Sequence, residues 1–296
     1  MYLGYKSLNF KKNFEIAMKN PNSPIDFMKM HGLGNDFVVI DTRDKSLPMV
    51  SIVAETLSDR HFGIGYDQLV LIEESHVAHV RLVFFNSDGS PSATCGNATR
   101  CLGRYFMDQE NVPMVQIETE GGILDCQDAG SGLSRVNMGN PLLDWNEIPL
   151  AEEIDTLELP IEGNPCAVGM GNPHCVFFVD NAEAVDLANI GPRIEHHPLF
   201  PKRTNVEFVS IKSHSEIRVR IWERGAGITL ASGSGTCAAV IASTRRGLTS
   251  NEVDVQADGG CLNIQWLEDG VWMTGPTSHV FNGTLSREFQ ENILAY

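Results

Sequence analysis

From residue 27 onward, short apolar runs alternate with clusters of Gly, Asn, Asp and Pro. The runs at residues 37–41, 68–73, 80–86, 115–118, 134–138, 175–180, 205–211, 216–223 and 270–274 are short and bounded by turn formers, which predicts strands. Apolar positions at helical spacing are clearest at residues 48–60, 96–107, 182–190 and 233–246. The last of these closes on Arg245, Arg246 and Gly247, a cationic final turn followed by a residue suited to a C-terminal cap. Many strands and few helices predict a mixed, strand-rich α+β class.

Two stretches of this pattern repeat. When Phe84, Phe85 and Asn86 are laid on Ile221, Trp222 and Glu223, the chain stays in register. Cys95 follows Asn86 by nine residues and Ser232 follows Glu223 by nine. Gly96 then falls on Gly233, Ala98 on Gly235 and Thr99 on Thr236. Each unit reads strand, Gly-rich loop, small nucleophilic residue, helix. Two related domains facing one another are expected, with two helix starts converging on one cleft.

Composition narrows the function. At 296 residues the chain can form one large domain or two, with a sizeable core. A net charge of −16 argues against nucleic acid, whose phosphates are bound by concentrated Lys and Arg. No apolar run is long enough to span a bilayer, so no membrane partner is expected. Seven cysteines in an odd, scattered set, with no signal-peptide pattern, predict a reducing cytoplasm. They form no Cys-x-x-Cys motif, and no metal site is expected. Residues 1–26 carry Lys6, Lys11, Lys12 and Lys19 and read as an extension without assigned function.

The repeat suggests a chemistry. A residue at a helix start sits at the positive end of the macrodipole, beside backbone N–H groups without helical partners. There a cysteine such as Cys95 is expected to have a lowered pKa, and the amides can hold a carboxylate. Cys101, farther along the same helix and turned away, is expected in the core. Inverting a stereocentre needs a base on one face of a carbon and an acid on the other, and one residue per domain supplies that arrangement.

Five motifs in order extend the picture. Met-His-Gly-Leu-Gly-Asn-Asp-Phe stands at residues 30–37, Gly-Ile-Gly-Tyr-Asp-Gln at 63–68, the first loop at 86–101, Gly-Asn-Pro-His at 171–174 and Glu-Arg-Gly-Ala-Gly at 223–227. With these the chain resembles the diaminopimelate epimerase family from residue 27 to its end. The resemblance implies two pseudo-symmetric domains, each a barrel-like β-sheet around a central helix, with the active site in the cleft between them. The boundaries expected are 27–140, with 278–296 returning to it, and 141–277.

It also implies interconversion of LL- and meso-2,6-diaminoheptanedioate in lysine synthesis, without pyridoxal phosphate or another cofactor, by a homodimer whose partner is a small amino-acid substrate. Cys95 matches one thiol base, with His174 and Glu223 as assisting groups. Asn35, Gln68, Asn86, Asn172, Asn205 and Arg224 match substrate-binding positions. The amides of Gly96, Asn97, Gly233 and Ser234 match the carboxylate cradle. Asn86, Asn205 and Arg224 are expected to converge on the distal end of the substrate.

One position departs. Where the family usually has a second cysteine, this chain has Ser232. A hydroxyl forms no appreciable anion near neutral pH, so two-base epimerisation is expected to be impaired. Cys237 lies on another side of the helix and does not replace it. Ser232 is either an engineered or a natural residue. The alternatives left open are another cofactor-free racemase, epimerase or dehydratase, and a non-catalytic amino-acid-binding homologue.

Overall fold

The computed structural model describes residues 24–44, 47 and 50–294. The expected extension lies outside the described residues up to residue 23, as do positions 48 and 49 of the first predicted helix. The first half of the chain runs β1 (Asp26–Gly32), β2 (Asn35–Asp41), α1 (Val50–Ser58), β3 (Gln68–Glu73), β4 (Val80–Asn86), β5 (Pro91–Ser92), α2 (Gly96–Glu110), β6 (Met114–Thr119), β7 (Gly122–Gly130) and β8 (Leu133–Asn137). The second half runs β9 (Cys166–Gly169), β10 (Pro173–Phe178), α3 (Leu187–Glu195), β11 (Asn205–Ser213), β12 (Glu216–Glu223), β13 (Gly227–Thr229), α4 (Gly233–Arg245), β14 (Glu252–Ala257), β15 (Gly260–Leu267) and β16 (Gly270–Pro276). β17 (Ser278–Thr284) and α5 (Arg287–Ile293) follow, and β17 pairs antiparallel with β1.

The two halves share one pairing register. β2 runs parallel to β3 with Phe37 opposite Gln68, and β10 runs parallel to β11 with His174 opposite Asn205. β3 pairs antiparallel with β4 through Leu69 and Phe85, and β11 with β12 through Val206 and Trp222. Every residue in these pairs has its counterpart 137 positions farther on. The equivalent strands β8 and β16 then pair with each other, Val136 opposite its own counterpart Met273. A local two-fold axis therefore passes through that ladder, and the repeat seen in the sequence is a structural one.

Each half wraps its sheet round a helix. α2 packs on β1, β6, β7 and β8, burying Ala98, Cys101, Leu102, Phe106 and Met107. α4 is touched by β9, β10, β11, β14, β15 and β16, and Cys237 to Ala242 are wholly buried. A helix apolar on every side has to be covered on every side, and the small Ala and Gly residues of α4 let the sheet approach it. Cys101 and Cys237 both lie in this core.

One predicted helix is corrected. Residues 182–190 form a 3-10 turn at Ala182–Ala184, capped by the Asn181 side chain, and α3 starts only at Leu187. Val185 is extended, at φ −77° and ψ 127°, and breaks the run. At the end of α4 the final cationic turn is present, with Gly247 at φ +68°, where a side chain would be strained.

Candidate active site

The two repeated loops deliver Cys95 and Ser232 to matching positions. Cys95 is the N-cap of α2, at φ −145° and ψ 104°, and Ser232 is the N-cap of α4, at φ −125° and ψ 122°. The first backbone bonds of each helix are also equivalent: Thr99 N–H donates to Cys95 O at 2.9 Å and Thr236 N–H to Ser232 O at 3.0 Å. The amides of Gly96 and Asn97, and of Gly233 and Ser234, precede those bonds and have no helical acceptor.

These helix starts adjoin. A Cβ on Gly233 would stand 3.6 Å from the backbone N of Asn97 and 3.3 Å from Met273 Cε. A Cβ on Gly96 would stand 3.0 Å from the same Met273 Cε and 2.7 Å from Met138 Sδ. A side chain at Gly96 would displace the Met138 and Met273 side chains packed on it, whereas one at Gly233 would make ordinary contact with the Asn97 amide. The β1–β2 turn touches the second half, since a Cβ on Gly34 would meet Leu230 Cδ1 at 2.7 Å.

On the first half, Asn35 organises the neighbourhood of the thiol. Its Oδ1 accepts from Asn97 Nδ2 at 3.3 Å and lies 3.9 Å from Cys95 Sγ, while its Nδ2 donates to Asp67 at 3.0 Å. Gln68 Nε2 donates to Asn86 Oδ1 at 3.0 Å. On the second half, Ser232 Oγ donates to Glu223 Oε2 at 3.0 Å and accepts from Gly235 N–H at 3.3 Å. Asn172 Nδ2 donates to Ser234 Oγ at 3.4 Å, and its Oδ1 pairs with His174 Nε2 at 2.8 Å.

Two expectations are corrected. Cys95 does not have a lowered pKa: burial pushes its thiol up to about 12, and the nearby Glu223 carboxylate adds to this, against the opposing pull of the Ala98 and Asn97 amides. Desolvation of the anion outweighs the helix start. Arg224 does not converge with Asn86 and Asn205. Its side chain is exposed and donates to Lys202 O at 3.0 Å. Asn205 is buried and spends its amide on backbone, donating to Pro173 O at 3.1 Å and accepting from Arg224 N–H at 2.8 Å.

The sequence reading missed Glu207. This wholly buried carboxylate holds His174 Nδ1 at 2.7 Å, and its other oxygen has no partner. The signal was an acidic residue in the apolar run 205–211. Burial raises the Glu207 carboxyl above its ordinary 4.5, with His174 opposing, and burial likewise raises Glu223. A carboxyl raised in the folded state keeps a proton that the unfolded chain has released. Its contribution to stability is therefore full below pH 4.5 and is lost as pH climbs through the folded value. Glu207→Gln, which cannot ionise, is expected to lose less Tm than the parent between pH 4.5 and mild alkali; an equal loss in both would refute this assignment.

Among the described residues no group of three or more His, Cys, Asp or Glu could hold a metal ion, and no helix is long and apolar enough to cross a membrane. What the described residues bring together is a thiol, a hydroxyl and a carboxyl at two helix starts whose first amides have no helical acceptor.

Comparison with known proteins agrees with this. The profile of the family described as diaminopimelate epimerase matches residues 27–143 and 166–280. A diaminopimelate epimerase from Rhodospirillum centenum is 50% identical over 267 residues, covering 88% of this chain and 92% of the relative. Another from Gluconobacter oxydans is 48% identical over 265 residues, covering 88% and 98%. In structure the chain is similar to a Bacillus anthracis phenazine biosynthesis protein of the PhzF family, with TM-score 0.67, 14% identity and coverage of 89% and 99%, which speaks to the fold alone. The chain, with its paired helix starts and matched half-sites, belongs to the diaminopimelate epimerase family of isomerases.

Proposed function

We propose that the two half-sites work on opposite faces of one amino-acid α-carbon, with Cys95 as the proton acceptor on its face. The observation that carries this is the equivalence of Cys95 and Ser232 as N-caps of adjoining helices in one register. The substrate carboxylate is held by the amides of Gly96, Asn97, Gly233 and Ser234, where helix dipoles favour negative charge. Once the Cys95 thiol has released its proton to solvent, a step that its burial opposes, the thiolate takes the α-proton, the electron pair moves toward that carboxylate, and the same donors stabilise it. The opposite face must then supply a proton.

On that face stands the Ser232 hydroxyl, bonded to Glu223. Giving up its proton would leave an alkoxide beside a carboxylate, which is strongly unfavourable. The chain as written therefore exchanges the α-proton on one face and inverts slowly. His174, Asn172 and Glu207 form a hydrogen-bonded line behind Ser234 and hold the second half of the cradle in place. Gln68 and Asn86 line the substrate end of the first half. The lysine-pathway role follows from the family; a cytoplasmic location and a homodimer are part of the same reading, the dimer being testable by sedimentation.

Separate incubations with LL- and meso-2,6-diaminoheptanedioate in D2O test the proposal. Deuterium is expected at the α-carbon of one epimer, with little inversion. A protein that only binds the amino acid would incorporate none.

A further inference from the structure

Glu195, the last residue of α3, buries its carboxylate at 3% exposure. Its two oxygens take different partners: Trp222 Nε1 donates to Oε2 at 2.7 Å and Gly225 N–H to Oε1 at 3.1 Å. Arg203, itself more than half exposed, stands 3.6 Å from Oε1. A carboxylate this deep has to be satisfied by hydrogen bonds, and both of these go to residues that bracket Glu223 and Arg224.

The turn that starts at Glu223 is thereby pinned from behind. It closes through Ala226 N–H to Glu223 O at 3.1 Å, and its other amides are taken by side chains, Arg224 N–H by Asn205 Oδ1 at 2.8 Å and Gly225 N–H by Glu195. Trp222 is fixed as well, since a Cβ on Gly191 of α3 would stand 2.5 Å from its ring. On the far side of Glu223 the line continues: Ser232 Oγ donates to Glu223 Oε2 at 3.0 Å and accepts Gly235 N–H at 3.3 Å.

The first half uses the same place with different chemistry. Ser58 ends α1, 137 positions before Glu195, and its hydroxyl donates at 2.8 Å to the carbonyl of Ser87, the counterpart of Arg224. There the turn is held by its own Asp88, which accepts Ser90 N–H at 2.9 Å. The second half has Gly225 at that position, with no side chain to offer, and the acceptor comes from Glu195 instead. In both halves a helix end grips the loop that leads to the N-cap.

We propose that Glu195 is a positioning residue for Glu223: by holding residues 222 and 225 it sets where the Glu223 carboxyl meets residue 232. This rests on reading positions 223 and 232 as the second half of the site. Glutamine is the discriminating replacement. It keeps the size of Glu195 but has one accepting oxygen, so its NH2 must face either the indole N–H or the Gly225 N–H, donor against donor. One of the two holds is lost, and Glu223 is free to shift.

Amide NMR of the isotopically labelled protein without substrate tests this, with Gly235 N–H as the reporter of the Glu223–Ser232 contact. Glu195→Gln is expected to move the Gly235 resonance in the direction that Glu223→Gln moves it, by at least about half as much, and to add nothing when the two are combined. In the Ser232→Cys protein, Glu195→Gln is expected to slow LL-to-meso conversion about tenfold with less than about a threefold rise in KM, because a small misplacement costs rate more than binding.

An unmoved Gly235 resonance in a folded Glu195→Gln protein would overturn the proposal even where the Trp222 indole signal shifts, since that pattern belongs to a residue that only supports the loop. Unchanged kinetics in an active Ser232→Cys protein overturn it as well. Should Glu195→Gln fail to fold, Trp222→Phe keeps a ring on Gly191 and removes one of the two bonds; a smaller movement of Gly235 in the same direction is expected, and none counts equally against the proposal. The resonance needs no turnover, so a protein whose Gly235 moves as expected while its Ser232→Cys form converts nothing would sink the epimerase reading and leave this inference standing.

Discussion

Ser232→Cys is expected to raise the rate of LL-to-meso conversion by about 10²–10⁴, the range over which a correctly matched acid or base contributes to proton transfer. The argument is one of proton affinity. Ser232 already sits where the second thiol belongs, capping α4 as Cys95 caps α2, so the exchange alters chemistry and leaves the backbone where it is. The hydroxyl gives its proton to nothing stronger than the Glu223 carboxylate at 3.0 Å, whereas a thiol there could protonate a carbanion and leave a stable anion. A cost comes with the gain. Ser232 Oγ accepts the Gly235 N–H, and sulfur is the weaker acceptor in that place, so the variant is expected to lose about 1 kcal/mol of stability. A chiral assay of both proteins, with thermal melts alongside, decides. Equal inversion rates would show that position 232 takes no part in proton transfer.

The sequence revealed the site more readily than the sheet. β3, β4 and β12 were legible to the residue because their apolar runs end sharply in polar turns. β1 was passed over because Lys29 and His31 interrupt its apolar residues, and β17 because most of its face is exposed. β14 alternates cleanly between exposed and buried positions, yet its buried residues are only Val253, Val255 and Ala257, each flanked by a polar one, and it lacks a strong apolar run. The spacing that matched Cys95 to Ser232 survived because helix starts fix position strictly. Glu207 was hidden because its role depends on His174, on the neighbouring parallel strand, a pairing no local pattern discloses. The thiol's raised pKa was hidden for a related reason: local sequence shows the helix start, whereas burial is set by both halves closing together.

Cys95→Ala is expected to lower deuterium incorporation by at least about 10²-fold in the parent, and to leave only slow exchange in the Ser232→Cys background. The two backgrounds ask different questions. In the parent, Cys95 is the one site residue that combines an ionisable thiol, partial access to solvent and the amides of a helix start, so its loss leaves the first face without an acceptor. In Ser232→Cys the second thiol remains, and it could still exchange a proton on its own face. Proton removal there must generate an anion beside Glu223, which is hydrogen-bonded to residue 232 at 3.0 Å and whose carboxylate opposes it. The double variant is therefore expected to exchange slowly, and only with the epimer opposite to the one the parent labels. Labelling of the same epimer in both proteins would mean that Cys95 and residue 232 serve one face, and the two-faced arrangement would have to be abandoned.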